Sequence, residues 1–153
     1  MIVVSDTSVI TSLIHIGREQ LLAEFHGRVL IPPAVQKELL RTHVQIPDFL
    51  EVRPVLDLAF VARLKMRLDL GEAEAIVLAK ETKADLLLID EKLGRQVAAR
   101  EGLRITGLLG LCVDAKLTGK ISSLRELVQR LELEAGFRVS RAVKAQAFDL
   151  AGE

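Results

Sequence analysis

Tryptophan and tyrosine are absent from this 153-residue chain, and phenylalanine occurs only five times. That scarcity argues against holding nucleic acid by stacking bases on an aromatic platform, so any nucleic acid would be gripped through its phosphates. Cysteine occurs once, as Cys112 in the apolar stretch LLGLCVDA. An intrachain disulfide is excluded, and the thiol reads as a small buried apolar group rather than a nucleophile. No apolar run approaches the ~20 residues of a membrane helix, and the first residues lack the basic and apolar zones of a secretory signal. These absences predict a soluble cytoplasmic protein. Charge of one sign is also missing, since 21 Lys and Arg balance 21 Asp and Glu. No basic excess announces a nucleic-acid binder. The balance changes if four of the acids are withdrawn into a metal site, which leaves the rest of the surface basic.

What is present is a chain of one-domain length, 1–153, with half its residues hydrophobic and no linker, repeat or low-complexity tract. IVVS (2–5) reads as a buried strand, followed by helix from Asp6 or Thr7 to about Ile16 and again from Arg18 to His26. Val29 to Ile31 form a second strand; Pro32 stops it, and Pro33 opens the helix AVQKELLRT from its first position. Residues 44–56 carry Pro47 and Pro54 and read as loop around a short strand, LEV. Helix resumes near Asp57; Gly71 is expected to break it, and EAEAIVLAKETK to start another. LLLI (86–89) is the clearest strand, EKLGRQVAARE a helix, LRIT a shorter strand, and GLLGLCVDAKLTGKI a further helix. From about residue 122 a helical extension follows, with a Ser cap and Leu124, Leu127, Val128 and Leu131 at helical spacing. That apolar stripe, with the basic tail of Arg138, Arg141 and Lys144, either covers the core or pairs with a second copy; the last residues, DLAGE, are expected to fray.

Short apolar strands separated by helices argue for an α/β fold, a parallel sheet covered on both faces. In such folds ligands bind beyond the carboxyl ends of the strands, which is where Asp6 and Asp90 fall. Each alone is ordinarily a helix cap or turn residue. On helical wheels Glu38 borders the apolar face of its helix, and Glu72 shares its side with Ala75, Ile76 and Ala79. Glu74 lies about 200° away, on the wetter side, where the helix dipole favours an acid. A glutamate beside an apolar stripe is ordinarily a snorkelling surface residue. Four carboxylates meeting in one cleft repel one another at neutral pH unless a cation holds them. Oxygen-only ligands with no His or Cys among them point to Mg2+ or Mn2+ rather than zinc. Ser8 is placed to orient Asp6, donate to a phosphate oxygen or cap the first helix. Glu91 follows Asp90 and reads as a solvated helix start or a ligand through water; Arg95 reads as a phosphate contact or an i,i+4 partner of Glu91. His15, His26 and His43 are scattered without ligand spacing and read as ordinary surface or core residues.

The ordered set DTS, then KEL after a proline-rich strand end, then GEAEAI, then LLIDEKLGR resembles the PIN-domain nucleases, up to about Ile121. It is most similar to their small prokaryotic, toxin-like branch, and GEAEA resembles the metal-binding helix of flap-type endonucleases. The resemblance implies a three-layer α/β/α sandwich with a mainly parallel sheet of about five strands, and an acidic pocket that binds Mg2+ or Mn2+ to cut RNA. Residue by residue, it makes Asp6, Glu38, Glu72 and Asp90 the four family acids and Ser8 the companion hydroxyl. The chain departs from the toxin-like pattern in using Glu72 as third acid and in carrying Leu88 where a Thr or Ser stands two residues before the fourth. Asp6 is expected to bridge two cations ~3.5–4 Å apart that activate a water for in-line displacement.

For many small free-standing members the resemblance also implies a small antitoxin partner, and here a homodimer is expected. The rival expectation is a catalytically weak or inactive nucleic-acid-binding or protein-interaction module. Ser8 stands where a phosphatase of the D-x-D type needs a second aspartate, a receiver-type phosphoacceptor lacks its acidic pair, and no glycine-rich phosphate loop is present.

Overall fold

The computed structural model describes all residues, 1–153. The chain runs β1 (Val3–Ser5), α1 (Thr7–His15), α2 (Gln20–His26), β2 (Val29–Ile31), α3 (Pro33–Thr42), β3 (Leu50–Val52), α4 (Leu58–Leu64) and α5 (Leu70–Glu81). It continues with β4 (Leu86–Leu88), α6 (Lys92–Arg100), β5 (Ile105–Thr106), α7 (Leu108–Leu117), α8 (Leu124–Glu134) and α9 (Arg141–Leu150). The five strands form one parallel sheet in the order β3-β2-β1-β4-β5. From β1 the chain builds outward to β2 and β3, then returns to lay β4 on the other side of β1. The topological switch point lies between β1 and β4.

Successive strand residues feed opposite faces, as the two-residue period requires. Val3, Val29, Ile31, Leu50 and Leu88 join a core of 25 buried residues with α1, α2, α7, α8 and α9. Val4, Leu30, Leu87 and Ile89 join a second core of 11 with Ala75, Ile76, Leu78 and Ala79 of α5 and Val97 and Ala98 of α6. Strands buried on both sides need no polar face, which is why they read as unbroken apolar runs. No helix is long and apolar enough to cross a membrane.

Two expectations change, and one is decided between its two alternatives. Gly71 does not break a helix: α5 starts at Leu70, capped by Asp69, and Gly71 lies in its first turn. The Leu124, Leu127, Val128 and Leu131 stripe is buried in the main core, so it is not a surface for a second copy. DLAGE is not frayed. α9 runs to Leu150, Ala151 is buried, and the Glu153 carboxylate accepts from the N–H groups of Leu124 and Arg125 while pairing with Lys116 at 3.4 Å. An acid at the N-terminus of α8 satisfies otherwise orphaned donors and complements the helix dipole. In the tail, Lys144 pairs with Glu132 at 3.1 Å.

Candidate metal centre

Asp6 follows β1, and its N–H still extends the sheet by donating to the Leu88 carbonyl at 2.9 Å. Its side chain caps α1, accepting from the Val9 N–H at 3.3 Å, so the cap expectation holds. The second oxygen accepts from Ser8 Oγ at 3.2 Å and from the Asp90 N–H at 3.3 Å. Only 2% of the residue is exposed. Burial pushes the carboxyl up from 3.8 to about 7, against the lowering effect of its backbone donors.

Asp6 lies at the floor of a cleft of about 310 Å³ with no hydrophobic residue in its lining. Hydroxyls come from Thr7, Ser8, Thr11 and Thr42 and acids from Asp6, Glu38, Asp69, Glu72 and Glu91. Glu38 accepts a hydrogen bond from Thr7 Oγ1 and rests on Gly71, where a Cβ would fall 2.7 Å from Glu38 Oε1. Glu72 rests likewise on Gly94, where a Cβ would fall 2.5 Å from Glu72 Oε2. Both glycines are the size they are because a carboxylate occupies the space of a methyl group. Gly71 serves the cleft rather than ending a helix.

Glu72 is 9% exposed and its Oε2 is buried without any hydrogen-bond partner. Burial, then Asp69, then Asp6 and Glu91, push its carboxyl up to about 8. Ionising Glu72 and Asp6 together in the cleft is costly until a cation neutralises them, and the donor set suits a hard divalent ion. In that sense the residues fit Mg2+ or Mn2+. As they stand, no three Asp, Glu, His or Cys side chains are gathered closely enough to hold an ion. Binding one requires side-chain rotation toward a common point.

Of the residues singled out in the sequence, Asp6, Ser8, Glu38 and Glu72 line the cleft, and Asp90 and Arg95 do not. Asp90 contributes its backbone N–H to Asp6, while its carboxylate accepts from the Leu108 N–H at 3.1 Å and so caps α7. Arg95 forms no ion pair with Glu91. Its Nη1 and Asp90 Oδ1 flank Gly107, each 2.8 Å from where a Cβ would stand. Glu74 points away from the cleft and accepts from the Ala34 N–H at 3.0 Å, capping the start of α3. Thr7, Thr11, Thr42 and Asp69 were not foreseen. Asp69 had a readable signal, an Asp three residues before Glu72 at the spacing of a helix cap, and its carboxylate does accept from the Glu72 N–H at 2.8 Å.

Comparison with curated proteins finds no match. A family model described as a PIN domain matches residues 2–153, essentially the whole chain that builds this sheet and cleft. With the five-stranded parallel sheet and the acids at its switch point, that match places the protein in the PIN-domain family, a nuclease-type fold.

Proposed function

We propose that the protein is a divalent-metal-dependent endoribonuclease that hydrolyses RNA phosphodiester bonds. One observation carries the reading: a cleft without hydrophobic lining, at the switch point of a parallel sheet, holds two buried carboxyls that resist ionisation and a Glu72 oxygen with no partner. Asp6, Glu38 and Glu72 would hold Mg2+ or Mn2+, with Asp90 the fourth acid at the same sheet edge. When bound, the cation supplies charge neutralisation at the phosphate and a water acidified for attack. The chain's own part is positional. Two backbone N–H groups and Ser8 hold Asp6, Thr7 and Gly71 hold Glu38, and Gly94 seats Glu72. The hydroxyls of the lining would donate to substrate oxygens that the acids repel.

The test is cleavage of single-stranded RNA with Mn2+ by the wild type and by Asp6→Asn. Loss of cutting in the variant supports the site; equal cutting by both rejects it. We further propose that this activity is the toxin half of a toxin–antitoxin pair acting in the cytoplasm. Growth arrest on expression, relieved by co-expressing the product of an adjacent small reading frame, would bear this out; full ribonuclease activity without toxicity would overturn it. A second reading, an inactive nucleic-acid-binding or interaction module, draws on the separation of the acids. It predicts no rise in melting temperature with millimolar Mn2+, because an ion that does not bind the folded state cannot stabilise it.

A further inference from the structure

We propose that the imidazoles of His15 and His43 form a stacking subsite for an unpaired base of single-stranded RNA, beside the acidic cleft. The proposal rests on the ribonuclease reading and adds the surface along which the substrate lies. On α1, Thr7, Thr11 and His15 recur every four residues and share one face. On α3, Glu38 and Thr42 are likewise four apart, and His43 follows as its C-cap. The two helices pack together, and these stripes meet in order. Thr7 bonds Glu38, Thr11 Oγ1 lies 3.5 Å from His43 Nε2, and the rings of His15 and His43 meet edge to face with centroids 5.7 Å apart. The seam therefore runs from the acids, past hydroxyls, to a pair of rings ~12 Å along α1 from Thr7 at ~1.5 Å per residue.

The charges say what such a seam accepts. Every charged residue lining the cleft is acidic, so a polyanion gains little there beyond what a cation mediates. Beside the cleft, further contacts come from hydroxyls and ring faces. Thr11 and Thr42 offer hydroxyls, and the two imidazoles offer π-faces; the chain has no Trp or Tyr to offer instead. An edge-to-face contact covers only one of the four ring faces. His15 is exposed and His43 half-buried, so the pair is both accessible and held in place. Stacking on histidine is a recognised way of holding splayed-out RNA bases and does not depend on their sequence.

The experiment measures binding of a short oligoadenylate, and of the same backbone with abasic nucleotides, in millimolar Ca2+, with Mn2+-supported cleavage followed in parallel. The wild type should bind the intact strand at least about tenfold tighter than the abasic one, the scale of one stacked base. His15→Ala with His43→Ala should bring the two strands to equal affinity, and in cleavage the loss should fall on KM more than on kcat. His43→Phe keeps a ring and should retain the preference, which separates stacking from any loss of folding. A double alanine variant with an unchanged melting temperature and an undiminished preference for intact RNA overturns the subsite. Wild-type cleavage in that case leaves the ribonuclease reading standing. Neither binding nor cleavage by the wild type overturns both.

Discussion

Replacing Asp6 by Asn in the metal-free protein should reverse the sign of its effect on stability as pH rises. The Asp6 carboxyl is raised from 3.8 to about 7 in the folded state. A raised carboxyl means that the folded state binds more protons than the unfolded one between those values. Its contribution is therefore intact below about pH 4 and lost as pH climbs through about 7, and the span corresponds to about 4 kcal/mol for this buried group. Asn carries no charge and escapes that loss. It pays differently: one amide oxygen cannot accept from both the Val9 and Asp90 N–H groups, and the amide nitrogen faces a donor, a defect of ~1–3 kcal/mol. At pH 4 the variant should be less stable by about that amount. At pH 8 it should be more stable by about 1–3 kcal/mol, each kcal/mol moving the melting temperature by about 2–4 °C. Urea unfolding in EDTA across this range is the assay. Parallel curves for wild type and variant would refute the reasoning, since they would mean that Asp6 does not titrate between pH 4 and 8.

Other outcomes follow from the same geometry. Millimolar Mn2+ should raise the melting temperature more at pH 8 than at pH 6, because protonated Asp6 and Glu72 cannot act as ligands, and Glu72→Ala should shrink that rise. Gly94→Ala should abolish cleavage and cost about 1–3 kcal/mol of stability, read by chemical denaturation, because the new methyl lands 2.5 Å from Glu72 Oε2 and 2.8 Å from Ile89 Cδ1. Glu74→Ala should remove the acceptor of the Ala34 N–H and destabilise by ~1 kcal/mol, while leaving the Mn2+-induced rise in melting temperature in place. Its neighbour two residues back should behave in the opposite way, which separates a cap from a cleft acid.

Local chemistry alone carried much of this fold. Three-residue strands such as Val29–Ile31 are apolar throughout because both sheet faces are covered, and Pro32–Pro33 mark the strand end and the helix start here. The helical wheel that set Glu72 apart from Glu74 is equally local, and it correctly assigned them to different surroundings. What it could not say is that Glu74 reaches α3 or that Glu72 loses its partners, because those depend on what packs against α5.

Tertiary structure decided the rest. Asp90 sits at the predicted strand end, yet its carboxylate turns to α7, whose N-cap is a glycine with no side chain to serve its own donors. Gly71 and Gly94 look like punctuation in the sequence and prove to be seats for carboxylates from other elements. His15 and His43 are 28 positions apart and become neighbours only because α1 and α3 pack against each other. Periodicity and caps are written in contacts a few residues long, so the sequence determined the elements and the strand ends where acids gather. Which acids share a cleft, which are spent on helix ends and which rings meet depend on long-range packing, and only the folded chain decides them.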